Sequence, residues 1–97
     1  MADSLVEKCR AAMGVTDGYF DDQIELAIQA ARLKMQLGGV SETKASDTAD
    51  SLVTVAIIAY VKGTVGNDNP DAERYMETFE SYVTQMKLCD SYAKEGQ

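Results

Sequence analysis

Apolar residues in this chain fall into four blocks of helical spacing, separated by short polar or glycine-bearing stretches. The first block starts at Asp3 or Ser4. Ser4-x-x-Glu7 has capping-box spacing, in which the hydroxyl takes one free amide of the first turn and the glutamate reaches back. Leu5, Cys9, Ala12 and Met13 form its stripe, and Gly14 stands just past its end. Asp17-Gly18 reads as a turn. A second helix is predicted over residues 21–37, with Asp21, Asp22 and Glu25 toward its N-terminal end and Arg32 and Lys34 toward its C-terminal end, both matched to the helix dipole. Ile24, Ala27, Ile28, Ala31 and Met35 make its apolar stripe, Leu26, Leu33 and Leu37 widen it, and Gly38-Gly39 ends it. The segment VSETKAS is polar, a surface loop with room for one short helical turn.

The third block organises the rest. From Leu52 to Val61 every residue is apolar except Thr54. Its β-branched residues would also suit a buried strand, but no turn signal interrupts Thr48 to Lys62, and that run is too long for an ordinary strand. A helix follows, with Ser46 or Asp47 as its cap and Gly63 and Gly66 as stops. A helix apolar nearly all round must be enclosed by others. Ile57 and Ile58 should therefore be largely buried, as should Phe79 of the fourth helix. The run is well short of the ~20 residues that span a bilayer. The fourth helix opens at Asn69-Pro70, with Asn69 capping and Pro70 at the first helical position. Ala72, Tyr75/Met76, Phe79, Tyr82/Val83, Met86 and Cys89 then recur at spacings of three and four. The reading is a single all-α domain over residues 1–97, a compact four-helix domain whose largely apolar third helix is enclosed by the others, with about 1–3 and 93–97 frayed.

Charge and composition narrow the function. A net charge of −7 and scattered cations provide no basic stripe for a phosphate backbone. Histidine is absent, which removes the commonest general base and zinc ligand together. Cys9 and Cys89 form no C-x-x-C pair and fall on apolar helix faces, so both read as small buried hydrophobes rather than a disulfide. The N-terminus has no apolar run after a basic segment, so no leader is expected.

Each candidate chemistry has a plainer explanation. Asp50-Ser51-Leu52 matches the tripeptide by which acyl carrier proteins present a phosphopantetheine serine, and Ser51 would be that site. The residues that follow are uniformly apolar, however, and lack an acidic face. Asp68, Asn69 and Asp71 suggest a calcium loop, but Pro70 blocks a ligand position and no late Gly or Glu completes it. Asp21, Asp22 and Glu25 do not face one another as an acid–base pair. Gly63-x-x-Gly66 precedes no strand and makes no nucleotide loop. Lys62 reads as a lysine snorkelling from the end of an apolar helix rather than a buried catalytic amine. No enzyme, metal or cofactor site is expected.

The run from Ala59 to Tyr75 carries a resemblance. An apolar helix ends in Tyr60-Val61-Lys62, Gly66 precedes Asp68-Asn69-Pro70, and Ala72-Glu73-Arg74 leads into the aromatic Tyr75. This pattern resembles the small head-tail connector (adaptor, head-completion) proteins of tailed bacteriophages and Gram-positive prophages. Leu5 through Val15, Phe20-Asp21-Asp22-x-Ile24, Ala30-Ala31, Met86-x-Leu88 and Ser91-Tyr92 follow the family more loosely, and Cys89-Asp90 departs from it. The resemblance implies a helical, non-enzymatic virion protein of the neck, made in the host cytoplasm. It also implies a ring of copies beneath the portal that extends the DNA channel and joins neck and tail proteins. DNA would be passing cargo, an acidic lumen would suit its sliding, and no membrane is involved. A generic helical interaction module is the other class to weigh.

A ring needs a surface that each copy offers its neighbour. Tyr75, Met76, Phe79, Tyr82, Val83, Met86 and Tyr92 exceed what one helix needs to cover so small a core. Tyrosine and methionine are also types that interfaces favour.

Overall fold

A computed structural model describes residues 3–15, 17–47, 49–65 and 70–94. Its helices are α1 (Asp3–Met13), α2 (Asp21–Leu37), α3 (Glu42–Ala45), α4 (Ser51–Thr64) and α5 (Ala72–Lys87). The chain is all-α. The one addition to the expected set is α3, a single turn whose first free amide, that of Lys44, donates to the Ser41 hydroxyl at 3.2 Å. At its other end the Arg32 guanidinium of α2 donates to the Ala45 carbonyl at 3.2 Å.

Two helices end as their glycines dictate. At Gly14 (φ +75°) and Gly39 (φ +111°) the backbone turns left-handed, a conformation that a Cβ disfavours. The amides of Val15 and Val40 then reach back to Arg10 and Met35, closing the double hydrogen-bonded stop of a Schellman motif. In the first turn between helices, Asp17 accepts the Tyr19 amide at 3.2 Å, and Arg10 of α1 pairs with Asp21 of α2 at 2.9 Å.

The core is centred on α4, which packs on α5, α2 and α1. Ile24, Ala27, Ile28, Ala31 and Met35 face it from α2, Leu5, Val6 and Cys9 from α1, and Phe79 and Met86 from α5. The chain forms a slab of 42 × 30 × 18 Å, thin enough for two layers of helices at the usual 8–10 Å spacing. None of its helices, among the described residues, is long and apolar enough to cross a membrane.

Several details depart from the sequence reading. Helix α4 starts at Ser51 and not after Ser46 or Asp47, because Asp50 is the residue whose carboxylate accepts a first-turn amide, that of Val53, at 3.0 Å. Enclosure of α4 is incomplete: Ile57 is buried, Ile58 only half so, and Val55 is 45% exposed on the same outward line as Ser51. Gly63 is not a stop but lies within the last turn. Pro70 lies in a turn and α5 begins at Ala72, with the Asp71 carbonyl taking the Tyr75 amide at 3.0 Å. The expected Asn69 cap lies outside the described residues, as do Gly66 and Asp68. The side chain of Ser4 and its capping box are likewise outside them. Cys89 is exposed, not buried, because α5 ends two residues earlier and helical periodicity no longer governs it. Cys9 is buried as expected, both thiols are free, and burial pushes the Cys9 thiol up to about 11.

Candidate assembly site

Three of the residues that carry the sequence resemblance, Tyr60, Lys62 and Tyr75, make contacts between α4 and α5. The Tyr60 ring sits 4.9 Å from that of Phe79, tilted by 58°. Two residues on, the Lys62 ammonium lies 4.6 Å above the Tyr75 ring, a cation–π contact between the end of α4 and the start of α5. Gly63 permits this approach: a Cβ there would stand 3.0 Å from the Met76 sulfur and 3.1 Å from the Ala72 carbonyl. Arg74 pairs with Asp71 at 3.5 Å on the surface, and Glu73 is exposed. Of the described motif residues, Tyr60 and Lys62 thus bridge α4 and α5, whereas Pro70, Glu73 and Arg74 are exposed.

A second feature was not foreseen. After α5 the chain returns across the α2–α3 junction, where Val40 and Ala93 form an isolated antiparallel bridge. The Ser41 amide donates to the Tyr92 carbonyl at 2.8 Å and the Lys94 amide to the Gly39 carbonyl at 2.9 Å. Residues 93 and 94 are therefore tied down where fraying was expected. The Tyr92 hydroxyl donates to Asp50 Oδ2 at 2.9 Å, and Lys44 stands 3.5 Å from the same oxygen and 5.0 Å over the Tyr92 ring. Partial burial alone would raise the Asp50 carboxyl. The Val53 amide, the Tyr92 hydroxyl and the Lys44 charge outweigh it and hold the group below its ordinary value. The same hydrogen bond, donated to a carboxylate, raises Tyr92 above the usual phenol range. One carboxylate thus caps α4 and anchors the C-terminal segment.

Seven residues were expected to serve an interface, and the structure divides them. Phe79 and Met86 are core residues of the single chain. Tyr75, Met76, Tyr82 and Val83 are half-buried along α5, and Tyr92, also half-buried, belongs to the clasp. The larger exposed apolar surface lies elsewhere. Leu26, Leu33 and Leu37, expected to widen the core stripe of α2, are 69%, 57% and 76% exposed. They lie with half-buried Ala30 on a second line of the helix, and the spacing 26-30-33-37 was the signal for it.

The other candidate groups are accounted for by structure. Ser51 is an exposed first-turn residue, and its neighbour Asp50 is occupied by capping and the clasp. Asp21 is engaged by Arg10. No cluster of metal-ligating side chains occurs among the described residues.

The family model described as "Phage connector protein" matches residues 5–93, nearly the whole chain. The chain belongs to the phage connector family. No curated protein and no solved structure matches it.

Proposed function

We propose that this connector is a ring subunit of the neck: copies close beneath the portal at the capsid vertex, extend the DNA channel and offer a platform to the next neck or tail component. The observation that carries this reading is the family match over residues 5–93. The physics agrees with it. A ring needs a heterologous contact that closes by rotation. The half-buried aromatic and methionine face of α5 (Tyr75, Met76, Tyr82 and Val83) is a suitable one, since each side chain still has apolar area to cover. With a net charge of −7, a subunit lining a channel repels the DNA backbone and lets it pass. The role is structural, and no catalytic step is assigned to any side chain. The test is a phage with this coding segment deleted. DNA-filled heads without tails, restored by supplying the chain from a plasmid, are the expected result. Tailed, infectious particles from the deletion would overturn the reading.

A further inference from the structure

The two ends of α2 have opposite character: an acidic turn with an exposed aromatic leads into it, and a lysine-rimmed apolar groove lies where it stops. We propose that the Tyr19 turn of one copy seats in the groove between α2 and α5 of the next, head to tail. The inference rests on the ring reading and deepens it by naming both sides of the subunit contact.

The groove lies at the C-terminal ends of two helices. Leu37, Phe79 and Val83 give it an apolar wall around about 400 Å³, with Lys34, Lys87 and Glu80 also lining it. Past Gly38 it continues into a recess of about 490 Å³ that adds exposed Leu88 and Lys94. Three of the nine cations of the chain thus converge on one groove. None of the three has an ion-pair partner among the described residues, whereas Arg10, Lys44 and Arg74 each pair with a carboxylate. On a chain of net charge −7, this is a local basic rim around apolar surface. The occupant it selects is an apolar group flanked by carboxylates.

The chain presents such a group at the other end of α2, 17 residues and ~25 Å away. Tyr19 is 79% exposed, while the other aromatic side chains are buried or half-buried. Its position is set in advance: the Phe20 ring meets it edge-on at 4.8 Å, and the Asp17 carboxylate accepts its amide at 3.2 Å. Little ordering is left to be done on docking. Exposed Asp17 and Asp22 flank the ring without an ion-pair partner among the described residues, whereas Asp21 is engaged by Arg10. Size agrees, since a cavity of ~150 Å³ already accepts benzene. A tyrosine so seated buries its ring and keeps its hydroxyl in water.

Position selects the partner. One chain cannot bring its own turn to its own groove, because the length of α2 separates them. A contact between two different patches of identical copies is heterologous, the type that a ring requires and a twofold pair does not provide.

Cross-linking in purified phage particles tests this. In a Cys89→Ser background, Gln23→Cys beside the turn and Thr84→Cys in the groove wall leave every named contact in place. With both cysteines in one chain, a short bis-maleimide should give a ladder of multimers in steps of 10.5 kDa on a denaturing gel. Either cysteine alone should give no ladder. Tyr19→Lys, at an exposed position that folding does not need, should leave the circular dichroism spectrum unchanged and abolish both the ladder and tail attachment. Asp17→Lys with Asp22→Lys should do the same, and adding Lys34→Glu and Lys87→Glu should restore both. Particles that contain the chain but give no ladder overturn the proposal, as does a ladder that survives Tyr19→Lys or a charge reversal that the second pair does not restore. Cross-links from Thr84→Cys to a different neck protein would assign the groove to that protein and equally overturn it. Absence of the chain from wild-type particles would overturn the ring reading itself, and this contact with it.

Discussion

Asp50 shows how one side chain can serve three elements. Its two oxygens accept the Val53 amide and the Tyr92 hydroxyl, and Lys44 of α3 neutralises it. Asp50→Ala should cost about 2 kcal/mol, combining a lost cap with a lost charged hydrogen bond. Tyr92→Phe should cost less, and the double variant should lose less than the sum, since both remove the same contact. Urea melts on the four proteins measure this coupling; strict additivity would mean that the hydrogen bond contributes nothing. The pH dependence has a definite sign. Because the Asp50 pKa is lowered on folding, its stabilisation is present above the ordinary carboxylate range and is lost as pH falls through the lowered value. Because the Tyr92 pKa is raised, its stabilisation is present below the ordinary phenol range and is lost as pH rises through the raised value. Asp50→Asn should flatten the acid limb of a stability–pH curve and Tyr92→Phe the alkaline limb; curves unchanged by either substitution would contradict the clasp. None of this was legible in the sequence. The two residues lie 42 positions apart, and their meeting depends on how the chain returns after α5, which no local pattern encodes.

At the scale of elements, local patterns did well where one residue's environment is set by its own helix. The limits of α2, its buried stripe and the glycine stop after α1 follow from spacing and backbone sterics alone. Uniform apolarity was a poorer guide. In α4 it cannot tell which line faces outward, so Ile57 and Ile58 look alike in sequence but differ in burial. Ile57→Ala should cost roughly 2–5 kcal/mol and Ile58→Ala clearly less; denaturant melts giving equal losses would mean that α4 is enclosed after all. Leu26, Leu33 and Leu37 were misassigned for a related reason: a leucine on a helix reports apolarity and not which of two faces is covered. Gly63 was misread as a stop because a helix-terminal glycine and a close-approach glycine have the same letter. Gly63→Ala should force Met76 and the α5 backbone away, losing about 1–3 kcal/mol. A neutral result in the same melts would mean that α4 and α5 have slack between them.

The whole molecule is a thin slab with one well-filled core and apolar residues left over on its faces. Its class was legible in the run from Tyr60 to Tyr75, of which Tyr60, Lys62 and Tyr75 make contacts between α4 and α5. The assembly surface was less legible, since core and interface draw on the same residue types and only burial separates them. On the proposed ring, Tyr75→Glu and Tyr82→Glu should leave folding intact and block tail attachment; if both variants yield normal infectious particles, α5 is not the ring contact. The most direct measurement is a cryo-electron microscopy reconstruction of the portal vertex in the mature phage, made without icosahedral averaging. The account predicts a ring of this chain between portal and tail, with DNA threading its lumen. A neck in which portal and tail meet directly, with this chain absent from purified particles, would contradict it.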